Sequence, residues 1–177
     1  METNRTIEFT RIRDVKAPSR ANSHDAGTDF FVPNYTPEFL EDLKAKNITN
    51  NLHYNVENDE LRIIIPAGEQ ILIPSGIKVN ILDKNTYLDA NNKSGVATKY
   101  HLLVGASVVD ADYQGEVHLN VHNTGNQSVT IFSGQKLVQF IHKYYINTDW
   151  QEISNEQYNE IQVSDRGAGG FGSSGIN

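Results

Sequence analysis

Apolar and polar positions alternate along most of this chain, in short bursts. Ile7 and Phe9 alternate with charged or polar neighbours, which suits a half-buried strand. Pro18 and the polar run to Ser23 predict a loop. Asp25-Ala26-Gly27-Thr28-Asp29 then turns into the apolar stretch Phe30-Phe31-Val32, which Pro33 ends. Further strands are expected at Leu61–Ile65, Gln70–Ile73, Ile77–Leu82, Tyr87–Ala90, Leu102–Val104, Glu116–His122, Val129–Phe132 and Leu137–Ile146, separated by turn residues. Many short strands without alternating helices predict an all-β fold, jelly-roll or barrel-like.

One segment has helical periodicity instead. Thr36 suits an N-cap and Pro37 the first helical position. Glu38, Glu41 and Asp42 precede Lys44 and Lys46, in the sense the helix dipole favours. Phe39, Leu40 and Leu43 form its apolar stripe. The stretch from Asn47 to Glu60 is polar, so 34–60 is expected to be a surface excursion carrying one helix. Two units are expected: a β-domain over 1–146 and a C-terminal arm over 147–177.

Composition narrows the chemistry. At 177 residues the chain can bury a real core. Its net charge of −7 argues against wholesale attraction to nucleic acid, so any phosphate must be held locally. The absence of cysteine excludes disulfides, thiolate metal sites and cysteine nucleophiles. No apolar run approaches bilayer-spanning length. A cytoplasmic protein (host cytoplasm, for a viral one) is expected.

Five of the thirteen glycines fall in Arg166-Gly167-Ala168-Gly169-Gly170-Phe171-Gly172-Ser173-Ser174-Gly175. Such a run is either a flexible tail or a lid. Arg166 and Phe171, which a linker does not need, favour a lid that orders over a phosphorylated ligand. Three internal stretches offer partners. Lys93-Ser94-Gly95-Val96-Ala97 supplies a cation, a hydroxyl and loop amides for phosphate, although such a run is also an ordinary turn. Gly105-Ala106-Ser107-Val108-Val109-Asp110-Ala111-Asp112-Tyr113-Gln114-Gly115 combines a tight hairpin with a carboxylate after two valines and a nearby aromatic ring. In Gly134-Gln135-Lys136-Leu137-Val138-Gln139-Phe140-Ile141, Gln139 sits among apolar residues and must find hydrogen-bond partners.

Taken in order, these stretches resemble the motifs of the homotrimeric dUTPase family. Ala26-Gly27-Thr28-Asp29-Phe30 is similar to the first motif and Lys93–Ala97 to the second. Gly105–Gly115 is similar to the third, Gly134–Ile141 to the fourth and Arg166–Gly175 to the fifth. The resemblance implies a distorted jelly-roll or β-clip barrel, with one inserted helix and a flexible glycine-rich arm. It also implies hydrolysis of dUTP to dUMP and pyrophosphate, which limits uracil in DNA and supplies dUMP for dTMP synthesis.

By the same resemblance, Asp110 would activate water for attack on the α-phosphate and hold the 3′-hydroxyl. Tyr113 would pack under the sugar and exclude a 2′-hydroxyl. Backbone around Ala106, Ser107 and Val108 would read the uracil edge. Lys93, Ser94, Gly95 and Gln139 would meet phosphates. Arg166 would meet the γ-phosphate, Phe171 would stack on uracil, and Gly172, Ser173 and Ser174 would wrap the phosphate chain. Mg²⁺ would be held mainly by the triphosphate, with Asp29 reaching it through water. Each active site would draw on three chains, and no membrane or nucleic-acid partner is implied. Trp150, Ile153 and Ile161 on the arm are expected to be packing anchors.

The sequence departs from the family pattern at four places. Lys93 stands where Arg is usual, Ser107 where Gly is usual, and Gln135-Lys136 where Asp-Arg is usual; 34–60 is long. His118, Asn120 and His122 share one strand face, expected near the threefold axis as an ion site or a hydrated channel. Two other readings remain. One is a dCTP deaminase-type relative, for which no matching glutamate motif is found, Glu116 lying past the hairpin. The other is a nucleotide-gated regulator that binds a partner protein through 34–60.

Overall fold

A computed structural model describes residues 6–49, 53–57, 60–161, 164, 167 and 169. The chain divides into two compact units, Met1–Ile146 and Asn147–Asn177. No described helix is long and apolar enough to cross a membrane.

The first unit is almost entirely strand, as the alternation predicts. Its elements are β1 (Ile7–Arg11), β2 (Thr28–Phe31), α1 (Pro37–Lys46), β3 (His53–Glu57), β4 (Glu60–Ile65), β5 (Gln70–Ile81) and β6 (Thr86–Asn92). After these come α2 (Ser94–Tyr100), β7 (Leu102–Val104), β8 (Val108–Val109), β9 (Glu116–Asn123), β10 (Val129–Ile131) and β11 (Lys136–Tyr144). They form open sheets in the orders β1-β5-β9-β7, β10-β4-β3 and β2-β11-β6-β8, so the all-β expectation holds while closure into a barrel is not seen among the described strands. Inward positions of the alternation make the core. Ile71, Ile73, Val117, Leu119, Val121, Val138 and Phe140 are buried, and Phe30 and Phe140 pack ring on ring.

Four elements differ from expectation. β5 runs straight through Pro74-Ser75-Gly76, where a turn was expected. Its register shifts between Pro74 and Lys78, a bulge that accommodates a proline without a ladder donor. Gly76 takes φ +74° there, and its N–H donates to Glu116 Oε1 at 2.6 Å. The polar stretch after Asn47 contains β3, paired with β4 from His53↔Ile64 to Glu57↔Glu60. α2 forms despite Gly95 and two β-branched residues, helped by Thr98 Oγ1 donating to the Ser94 carbonyl at 2.8 Å. In the second unit a short α3 (Asn155–Asn159) starts at a capping box between Ser154 and Gln157.

Within 34–60, helix α1 is packed onto the core and does not stand out from it. Thr36 caps α1 by accepting from the Phe39 N–H, as its sequence predicts. Phe39 and Leu43 are buried completely, and Asn47 fastens the helix end to β5. Its Nδ2 donates to the carbonyls of Leu43 and Leu72, and its Oδ1 accepts from the Leu72 N–H. The apolar stripe of α1 is spent on this chain's own core. Trp150, Ile153 and Ile161, expected as packing anchors, are instead exposed, Trp150 at 95 %.

Candidate active site

Two sets of expected site residues are built on the β2-β11-β6-β8 sheet, by different means. In the first, Asp29 of β2, Gln139 of β11 and Asn91 of β6 stand in register across neighbouring strands. Asp29 is buried at 4 % exposure, and two cations meet it. The Lys93 ammonium bonds its Oδ1, and Lys136 Nζ lies 2.9 Å from its Oδ2. Burial alone would raise the Asp29 carboxyl, but hydrogen bonds from Lys93 and Lys136 outweigh it and hold it below the ordinary range. Beside this cluster a Cβ on Gly27 would fall 2.1 Å from Gln139 Oε1. Glycine there lets the Gln139 amide sit against β2, and its Nε2 donates to the Asn92 carbonyl at 2.8 Å. Ser94 and Gly95 open α2 and are exposed, with open space where a Gly95 side chain would be.

The second set is the hairpin. Asn120 organises it from β9. Its Oδ1 accepts from the Ala106 N–H at 2.8 Å, its carbonyl accepts from Gly105 at 3.0 Å, and its Nδ2 donates to the Ile71 carbonyl. A Cβ on Gly105 would lie 1.9 Å from Asn120 Oδ1 and 2.6 Å from His122 Nε2, so any side chain there would displace both. The Ser107 carbonyl accepts from Ala90, and Val108 and Val109 pair with Asp89 and Leu88. The chain then turns, with the Tyr113 N–H donating to the Asp110 carbonyl at 3.1 Å. Tyr113 lies against Gly115, and its hydroxyl donates to the Glu116 carbonyl at 2.9 Å.

Ala106, Val108, Asp110 and Tyr113 line a cleft of about 160 Å³ whose wall is completed by Leu72, Val109, Val117, His118 and Phe140. Asp110 is exposed, and no described side-chain bond or ion pair holds its carboxylate. A carboxylate on an apolar rim beside an aromatic ring can take a hydroxyl or a water. Lys93, Ser94, Gly95 and Gln139 do not line this cleft. A larger cavity of about 370 Å³, lined by Phe31, Tyr100 and other mainly apolar residues, meets the expected stretches at Val96, Gly134, Gln135, Lys136 and Leu137 and offers no carboxylate.

Arg166, Phe171, Gly172, Ser173 and Ser174 lie outside the described residues. No group of three or more His, Asp or Glu side chains suited to a metal occurs among the described residues. On the strand face of His118, Asn120 and His122, Asn120 is committed to the hairpin, a role its place in the sequence did not signal. Glu116 is also committed. It accepts from Arg13 through both oxygens, and Arg13 in turn reaches Asp42 of α1. The bond to Glu116 raises the Arg13 guanidinium further, ahead of an opposing effect of burial.

The strand order, the paired lysines and the hairpin cleft together describe an all-β protein with a carboxylate at the rim of an apolar cleft. The dUTPase sequence profile matches residues 54–175. A deoxyuridine 5′-triphosphate nucleotidohydrolase of Candida albicans is 38 % identical over 113 residues, covering 64 % of this chain and 69 % of that one. One from Shewanella pealeana is 29 % identical over 151 residues, covering 84 % and 90 %. A mutant dUTPase of Staphylococcus bacteriophage 80alpha, solved with dUpNHpp, superposes with a TM-score of 0.71 at 18 % identity, over 97 % of this chain and 99 % of that one. The chain belongs to the dUTPase family.

Proposed function

We propose that this chain hydrolyses dUTP to dUMP and pyrophosphate, with Asp110 as the carboxylate that orients and activates the attacking water at the α-phosphate. The observation that carries this is the cleft beneath the hairpin, where an uncommitted Asp110 stands beside the Tyr113 ring and a backbone-lined edge. Tyr113 packs under the sugar and leaves no room for a 2′-hydroxyl. The backbone at Ala106, Ser107 and Val108 reads the uracil edge. The reaction needs no covalent intermediate, only positioning and charge neutralisation around a held water.

Lys93, Ser94, Gly95 and Gln139 take the phosphates. They stand apart from the Asp110 cleft, which fits a site that neighbouring chains complete, and we read the working form as a homotrimer. Arg166, Phe171, Gly172, Ser173 and Ser174 then close over the nucleotide and exclude water. Magnesium, when bound, would neutralise charge on the triphosphate, which would supply most of its ligands. Asp29, whose two oxygens hold Lys93 and Lys136, would act on the metal only through water. The two lysines are thus aimed by one carboxylate and shared with the phosphates.

Hydrolysis in water carrying heavy oxygen tests the point of attack. Label recovered in dUMP is the expected result. Label recovered in pyrophosphate would mean attack at the β-phosphate and would remove Asp110 from its proposed role.

A further inference from the structure

Tyr113, on which the choice of sugar rests in the scheme above, is held from outside the cleft. Its N–H donates to the Asp110 carbonyl at 3.1 Å. Its hydroxyl passes Gly115, where a Cβ would lie 2.3 Å away, and donates to the Glu116 carbonyl. The Glu116 backbone thus anchors the far end of the ring. It stands where its strand ladder is interrupted, because the β5–β9 register shifts between Pro74 and Lys78, and Lys78 is the residue opposite Glu116. The Glu116 side chain supplies the missing tie. Its Oε1 accepts from the Gly76 N–H at 2.6 Å and from Arg13 Nε at 2.7 Å, and its Oε2 accepts from Arg13 Nη2 at 2.8 Å. Both side chains are shielded from solvent, Arg13 at 16 % exposure and Glu116 at 11 %, which strengthens this forked pair. Arg13 is fixed in turn by Asp42 and by the Phe39 ring, whose centre lies 6.0 Å from its guanidinium. Helix α1, in the long segment 34–60, is therefore joined to the Tyr113 anchor through two side chains. Neither Arg13 nor Glu116 lines the cleft.

We propose that Arg13 and Glu116 are positioning residues, a strut from α1 that fixes the Tyr113 ring and so sets the preference for deoxyribose over ribose. This rests on the dUTP reading above. A ring excludes a 2′-hydroxyl only while it cannot yield, and a ring hung on a loose carbonyl can move aside and admit the extra oxygen. Without Arg13, the Glu116 carboxylate is left enclosed and unpaired, so it turns toward water and leaves the Gly76 N–H. The carbonyl that holds the Tyr113 hydroxyl then loses its anchor. Selectivity between two substrates is a difference in transition-state binding, so a device that acts on the sugar alone shows in their ratio. The attacking water at Asp110 is untouched by it.

The test compares kcat/KM on dUTP and on UTP in full-length variants. Arg13→Met, which keeps an unbranched side chain without a donor, should shrink the dUTP-to-UTP ratio on the order of tenfold, with kcat for dUTP little changed. Arg13→Lys keeps the charge on a single donor and should recover part of the ratio. Tyr113→Phe keeps the ring and loses only its bond to Glu116, so it should shrink the ratio by a similar factor. The double variant Arg13→Met with Tyr113→Phe should then be no worse than either single one, because both cut the same strut. A ratio equal to the parent's in Arg13→Met, with dUTP still hydrolysed, overturns the inference and leaves the enzyme reading standing, even if Tm falls: the pair is then a brace for the fold alone. Losses that add in the double variant overturn it as well. Should Arg13→Met fail to fold, Glu116→Gln decides, since it keeps an acceptor for Gly76 and withdraws the charge from Arg13; a smaller ratio is expected and an unchanged one is the contrary result. A parent protein that leaves dUTP intact would overturn the enzyme reading and this inference with it.

Discussion

The two halves of the site meet the problem of polar groups in opposite ways. Around Asp29, charge is buried and answered within the chain: one carboxylate holds two ammonium groups, and the Gln139 amide is pressed against Gly27 and bonded to β6. Around Asp110, backbone and small residues shape a cleft while the carboxylate itself stays exposed and uncommitted. The paired cluster is suited to hold a fixed field toward phosphate. The hairpin keeps its capacity for a ligand and spends its own hydrogen bonds, through Asn120, on the shape of the turn.

The largest expected effect follows from the uncommitted half. Asp110→Asn should keep dUMP binding and lose turnover on the order of 10²–10⁴-fold, the range general base catalysis supplies. Steady-state rates with calorimetric binding check both arms. In the other half, Asp29→Asn should act on folding. It leaves Lys93 and Lys136 without their shared counter-charge and should lower stability by about 1–3 kcal/mol in urea denaturation. Because the two lysines hold the Asp29 carboxyl below 3.8 despite its burial, its stabilisation is fully present above that pH and is lost as pH falls through the lower folded value. Asp29→Asn should therefore flatten the acid limb of stability.

A smaller effect is expected at Gly105. Gly105→Ala pushes Asn120 off the Ala106 N–H and should raise KM for dUTP several-fold, about one hydrogen bond's worth, with stability less affected. The least is expected from the exposed pair of Lys84 and Asp112, 3.6 Å apart. Asp112→Asn should leave both Tm and KM unchanged, since exposed ion pairs contribute little. A clear loss there would mean that charge at the hairpin tip matters, and would blur the distinction between the halves.

Much of this arrangement is legible in the residues. Alternation along β9 and β11 marks their buried faces, and Thr36-Pro37 marks the start of α1. What is hidden depends on distant partners. Pro74-Ser75-Gly76 has turn composition, yet β9 supplies Glu116 to satisfy the bulge, so the strand continues. Asn47 to Glu60 looks like loop because its polarity says nothing of the β4 edge that pairs with it. In the site, Asp110 and Tyr113 stand out by type and spacing. The grip of Asp29 on Lys93 and Lys136 does not, because the residues are 64 and 107 positions apart. His118 was visible as one of an alternating trio, but only the fold sets it in the cleft wall.

The most direct measurement is product analysis of the purified protein with Mg²⁺ and, separately, dUTP, dCTP, dTTP and UTP. The account predicts dUMP and pyrophosphate from dUTP, with the other three left intact: UTP rejected at Tyr113, dTTP and dCTP at the hairpin. Ammonia released from dCTP, or no turnover of any of the four, would contradict it.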